Sequence, residues 1–167
     1  AYFQKMMTVN GGYQKVYTVT SDSTMDGALE KSQRLQPSLD RLVREKAVHD
    51  YSSCSQFVVS KAEQKRRLAL WESFIERHKT ELTTALRTAM QAEGFAPDSF
   101  NDYYSLLNKR YQPQQPAYFA PLTTTLFAGN ISVDKAEGRY NIVNVLSVKD
   151  KDMPHVKAKL ADKDCFS

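Results

Sequence analysis

From Ser60 to Gly94 the chain repeats its apolar residues at helical spacing. Leu68, Trp71, Phe74, Ile75, His78, Leu82, Ala85, Leu86, Ala89 and Met90 follow one stripe with some drift. A strand turns successive side chains to opposite faces and cannot use that period, so a large part of this chain is committed to helix. Ser60-Lys61-Ala62-Glu63 has the S-x-x-E spacing of a capping box, and Gly94 is the expected C′ stop. The run from 61 to 93 far exceeds the usual helix of about 11–12 residues, which predicts two helices with a break near Arg77 to Thr80. Pro97 at the first helical position, with Asp98 in the first turn, predicts a further helix carrying Phe100, Tyr103, Tyr104, Leu106 and Leu107.

The sequence on either side of this segment is different. Asn10-Gly11-Gly12 is a turn signal, and Tyr13 to Thr20 is rich in aromatic and β-branched residues, which favours a strand. Thr20-Ser21-Asp22-Ser23 offers N-cap candidates. Met25, Ala28, Leu29, Leu35, Leu39, Leu42 and Val43 then recur at helical spacing, with Pro37 predicting a kink or restart. Ser52 to Val59 reads as a second strand. Beyond the helical segment, Tyr111 to Pro121 is a Pro/Gln/aromatic linker, and Leu122 to Gly129 has room for a short helix. Ile131–Val133 and Tyr140–Val148 form a hairpin, and Met153 to Ala161 a last helix. The order predicts an α+β fold with a mainly antiparallel sheet. Residues 13–59 and 130–163 form the sheet-bearing parts of one domain, 60–111 a helical insertion and 112–129 a linker. A closing strand would begin near Cys165-Phe166-Ser167.

With 167 residues the chain suits a single domain able to bury about 70% of its unfolded surface. No stretch of 18 apolar residues occurs, so no bilayer span is expected. The chain begins Ala1-Tyr2-Phe3-Gln4, without an initiator Met or a signal-peptide segment, which predicts a piece cut from a longer protein. The net charge of +4 is spread along the chain, and its densest basic spot, Lys65-Arg66-Arg67, lies beside Glu63 and Glu72. That reads as a solvated helix face, with no nucleic-acid partner expected.

Chemistry is sparse. His49, His78 and His155 have no second ligand at a metal-binding spacing, so no metal and no cofactor are expected. Nucleophile elbows, P-loops and G-x-G-x-x-G are absent. Cys54 has no Lys, Arg or His beside it to depress its pKa, so a nucleophilic role is not expected. Cys54 and Cys165 read as two free, partly buried thiols; a disulfide would require their Cα atoms within about 7 Å. Asp22 with Asp26 suits a helix start, and Asn130-Ile131-Ser132 is a sequon on a strand residue. The expectation is a chain that is not an enzyme. Its most suggestive feature is an aromatic-rich stretch, Tyr103, Tyr104, Tyr111, Tyr118, Phe119 and Phe127, around three prolines. These rings either cap the core or contact an apolar substrate or partner.

The order of segments resembles the periplasmic loop of predicted exporters in the RND superfamily, near the MMPL branch. The segments are Val16-Tyr17-Thr18-Val19 followed by Asp22 to Leu29, Leu35 to Leu42, Phe57-Val58-Val59-Ser60, and Gln64-Lys65-Arg66-Arg67. Glu93-Gly94-Phe95 leading to Phe100 follows, then Ile142-Val143-Asn144-Val145-Leu146 before a helix with Val156 and Leu160. Together they cover roughly residues 13–163. The resemblance implies a ferredoxin-like βαβ porter domain on the periplasmic side of an inner-membrane exporter. It implies lipid-like or hydrophobic cargo, the rest of the same transporter as partner, and membrane attachment only through flanking helices. The family's proton-relay residues lie in those helices, so none maps onto a position here.

Overall fold

A computed structural model describes residues 6–9 and 12–161. Its fold is α+β. Strand β1 (Met6–Val9) precedes β2 (Tyr13–Asp22), helix α1 (Met25–Arg44) and β3 (Val48–Ser52). Helices α2 (Lys61–Ala92), α3 (Asn101–Asn108) and α4 (Ala120–Thr125) follow. Strands β4 (Ile131–Asp134) and β5 (Arg139–Lys149) and helix α5 (Met153–Ala161) complete the described chain. It divides into two compact units: residues up to 61 together with those from 115 onward, and residues 62–114.

The first unit is organised by β5. One edge of β5 pairs antiparallel with β2 along its whole length, from Tyr13 opposite Lys149 to Asp22 opposite Tyr140. Its other edge is shared, with β4 against residues 139–142 and β3 against residues 145–148, both antiparallel. Strands β2 and β3 therefore run parallel to each other with β5 between them, and α1 makes the crossover. Strand β1 pairs with the outer edge of β2. The β4–β5 hairpin closes through Gly138 at φ +63°, a left-handed turn that an L side chain resists.

Alternation along β2 and β5 places Val16, Thr18 and Thr20 with Ile142, Asn144, Leu146 and Val148 on the buried face. Helix α1 adds Leu35, Leu39 and Leu42 and α5 adds Val156 and Leu160, and together with Val16, Val48, Leu146 and Val148 they form one aliphatic core. Each Leu removed from water here contributes about 1.5–3 kcal/mol. A smaller cluster, Ala28, Leu29, Cys54, Val58 and Ile142, lies toward the other end of α1. Buried polar side chains also bridge α1 and the sheet. The Asn144 side-chain amide donates to Thr18 Oγ1 and Ser32 Oγ, both at 3.2 Å, and Ser55 Oγ donates to Ser32 Oγ at 2.7 Å. The opposite face of the sheet leaves Tyr17, Val19, Val143 and Val145 half-buried.

Several local expectations are corrected. The second strand is Val48–Ser52, not Ser52–Val59. Ser53 Oγ accepts from the Ser55 amide and turns the backbone into a short 3-10 helix, Cys54–Gln56, before the buried Val58 and Val59. Strand β2 runs on through Asp22, so the N-cap of α1 is Thr24, whose Oγ1 accepts from the Gly27 amide at 3.0 Å. Helix α1 continues unbroken through Pro37, which lies exposed while Leu35 and Leu39 on either side anchor the helix to the sheet. The expected break at Arg77 to Thr80 does not occur, since residues 61–92 form one helix. It stops at Gly94 as expected: Phe95 N donates to Met90 O and Gly94 N to Gln91 O around a φ of +73°. Pro97 and Asp98 lie in turns, and α3 begins only at Asn101. The strand expected near Cys165 lies outside the described residues.

Candidate functional site

The six aromatic residues singled out in the sequence do not form one site. Tyr118, Phe119 and Phe127 belong to the first unit, Tyr103, Tyr104 and Tyr111 to the second.

In the first unit, residues 116–127 are a structured cover. A 3-10 turn, Pro116–Phe119, leads directly into α4, and Phe119, Leu122 and Phe127 pack against the smaller core cluster. Leu122 packs inward, whereas Leu126, at the C-terminal cap of α4, is 72% exposed. Phe57 lies on Phe127 with ring centroids 5.5 Å apart and stays 60% exposed. Tyr118 meets Phe119 edge-on at 5.4 Å and is 66% exposed. The rings nearest the core are held by packing, and their neighbours offer apolar surface to solvent. Such a surface can bind apolar groups. Phe57 and Leu126 were not singled out in the sequence, since apolar residues in a presumed strand or helix look like core.

In the second unit, Leu68, Trp71 and Ile75 on α2 face Leu107 and Tyr111 across a groove of about 590 Å³, with Lys79 at its side. The segment after α3 is tied back to α2 by a reciprocal pair: Gln114 N donates to Gln64 Oε1 at 2.6 Å, and Gln64 Nε2 to Gln114 O at 3.0 Å. Tyr104 is fixed near Met90, its hydroxyl 3.6 Å from the sulfur, with the Arg87 guanidinium 5.8 Å from its ring centroid. Tyr103 contacts Tyr104 edge-on at 6.1 Å, and the Lys109 ammonium lies 5.3 Å from the Tyr111 ring centroid. Of the three tyrosines, only Tyr111 lines the groove.

The titratable groups are mostly tied to structure. Burial pushes the Cys54 thiol up to about 11, so the thiolate is scarce near neutrality. Hydrogen bonds from Lys31 and from the Thr24 backbone hold the Asp22 carboxyl down to about 2. Asp26 accepts from the Lys61 amide at 2.8 Å, so these two carboxylates serve two helix starts. Glu63 binds both Arg66 and Arg67 at 2.7 Å, which lowers its pKa to about 2 and offsets part of the basic triplet. His49 and His155 are exposed and His78 is half-buried, beside Asp50, Glu45 and Glu81 respectively. Among the described residues no three His, Cys, Asp or Glu side chains gather as a metal set. The Asn130 side chain of the sequon donates to Val143 O at 2.9 Å. Among the described residues no helix is long and apolar enough to cross a membrane.

Compared with family models, curated proteins and solved structures, the chain matches none.

Proposed function

We propose that this chain is a non-catalytic, porter-like domain on the periplasmic side of an inner-membrane RND-type exporter, and that it lines part of the path of a hydrophobic or lipid-like substrate. The reading rests on the sequence resemblance. The observation that supports it best is the connectivity of the first unit. Strands β2 and β3 run parallel around the antiparallel β5, α1 crosses between them, and α5 follows β5. That is three strands and two helices of a ferredoxin-like arrangement, the finer fold this proposal includes, with the helical unit inserted between β3 and β4. The exposed Phe57, Tyr118 and Leu126 supply the apolar contact surface for cargo.

The test uses the whole transporter in cells. With Cys165 replaced by Ser, a cysteine placed at Lys135 in the β4–β5 turn should react with a membrane-impermeant maleimide once the outer membrane is permeabilised. The double variant F57S/L126S should export a hydrophobic fluorescent substrate several-fold more slowly at equal membrane abundance. A Lys135 position reached only after the inner membrane is lysed, or unchanged export by the double variant, would rule the proposal out. A second reading, an interaction module, is favoured by the groove along α2. It predicts that Trp71→Ala abolishes capture of a protein partner while F57S/L126S does not.

A further inference from the structure

Helices α1 and α2 end in the same hydrogen-bonded motif but with different residues at its left-handed position. In α2 the residue is Gly94 at φ +73°. In α1 it is Lys46 at φ +60°, with Lys46 N donating to Val43 O at 2.9 Å and Ala47 N to Leu42 O at 3.0 Å. Glycine adopts this backbone without strain, whereas a lysine does so against steric resistance. Lys46 also lines an open cavity of about 310 Å³ whose other polar side chains come from four separate parts of the chain. The cavity takes Tyr13 from the start of β2, His49 from β3, Lys149 from the end of β5 and Asp152 from the turn that follows, with Val48 in its wall. Tyr13 contacts two of the others: its ring lies 4.8 Å from that of His49, and the Lys149 ammonium is 5.3 Å from its centroid.

Three nearby carboxylates have partners of their own. Asp150 accepts from the Gln14 side chain, Glu45 lies 3.4 Å from His155, and Asp50 lies 3.9 Å from His49. Asp152 is the carboxylate in the lining. Among the described residues, neither Lys46 nor Lys149 has a carboxylate within ion-pair distance.

We propose that this cavity is an anion site for a phosphate monoester. Lys46 and Lys149 contact different oxygens of the tetrahedral group, and Tyr13 and Val48 lie along the organic part. Lysine suits such a site because its ammonium is a compact charge with three donors. The cavity has room for more than an inorganic phosphate, and the ester could be a free metabolite or a lipid headgroup. The site lies apart from the aromatic surface used above, and its test is independent of the porter reading.

The experiment is a titration of the chain, followed by backbone amide NMR, with inorganic phosphate, phenyl phosphate, and vesicles containing phosphatidic acid or phosphatidylglycerol. Saturable shifts confined to Tyr13 and to residues 43–49 and 149–152 are expected. Lys46→Gly should raise the denaturation midpoint, because it relieves the left-handed lysine, yet weaken binding by about fivefold. That factor is the Coulomb attraction of one unit charge at about 4 Å in water. Lys149→Gln should weaken binding similarly, and Asp152→Asn should strengthen it. Saturation by the soluble esters assigns a free metabolite. A response to phosphatidic acid vesicles alone assigns a lipid headgroup. The proposal is overturned if no probe binds at millimolar concentration, or if Lys46→Gly binds as well as the parent chain. Equal binding to phosphatidylglycerol vesicles, or an equal loss in the remote variant Lys135→Gln, would also overturn it, because either would show nonspecific charge attraction.

Discussion

Helix α1 is 20 residues long and buries six of them, Ala28, Leu29, Ser32, Leu35, Leu39 and Leu42. Helix α2 is 32 residues long and buries only Met90. Both carry an apolar stripe, and the difference lies in what each stripe meets. Helix α1 lies on a sheet face whose side chains come from β2, β3 and β5, with α5 beside it, so its leucines are enclosed on all sides. In its own unit α2 meets the short α3 and the segment that returns to Gln64. Leu68, Trp71, Ile75, Leu82 and Leu86 are therefore half-covered, and Phe74 and Leu70 are 40% and 59% exposed. Apolar periodicity shows that a face can be buried. How deeply it is buried depends on how many neighbours the fold brings to it.

The largest expected effect tests that contrast directly. Leu39→Ala empties a site with no exposed surface and should cost about 2–5 kcal/mol. Ile75→Ala on the half-covered stripe should cost less than about 1 kcal/mol. Urea denaturation of both variants measures the difference, and equal losses would show that α2 is as well enclosed as α1.

A smaller loss is expected from Asn144→Ala. It would leave the buried hydroxyls of Thr18 and Ser32 short of a partner, a cost of about 1–3 kcal/mol. A second change, Ser32→Ala, should then cost much less in the Asn144→Ala background than alone. Additive losses in a double-mutant cycle would show that the polar side chains do not act as one network.

The two helix ends give a comparison of opposite sign. Gly94→Ala at φ +73° should destabilise by about 1 kcal/mol, even though no atom lies within 4 Å of the added Cβ. Lys46→Gly should stabilise by a similar amount. Thermal unfolding that moved the same way in both would show that backbone strain is not what separates the two caps.

The smallest effect is the pH dependence of the α1 start. Asp22 has a folded pKa of about 2, below its ordinary value. Its contribution is therefore present above the ordinary carboxylate range and is lost as pH falls from about 4 through 2. In a Gly27→Ala chain the new Cβ would lie 2.5 Å from the Asp22 carboxyl carbon and displace it. The Asp22 pKa, followed by side-chain NMR titration, should then move back toward 4; a pKa held near 2 would show that the Lys31 and Thr24 bonds survive the displacement.

Much of the fold was legible because it is local. Alternating β-branched and aromatic residues marked β2 and β5, the helical stripe marked α2, and Gly94 marked its end. The errors fell where two local rules compete. The apolar residues of Ser52 to Val59 suggested a strand, but Ser53 captured a backbone amide and made a turn. A break was expected near Arg77, although no Gly or Pro there required one. The candidate site was less legible. Six clustered aromatics in sequence became two groups in different units, and Phe57 and Leu126, the more exposed apolar side chains, looked like interior residues.

Composition, period and turn residues thus determined the helices, most strands and the α+β class, since each depends on interactions within a few residues. Tertiary structure alone decided that β5 would sit between β2 and β3, that Asn144 would find Thr18 and Ser32, and that Lys46 would share a cavity with Tyr13, His49 and Lys149. Apart from Lys46 and His49, those partners lie tens to more than a hundred residues apart, and only the closing of the sheet brings them within reach of one another.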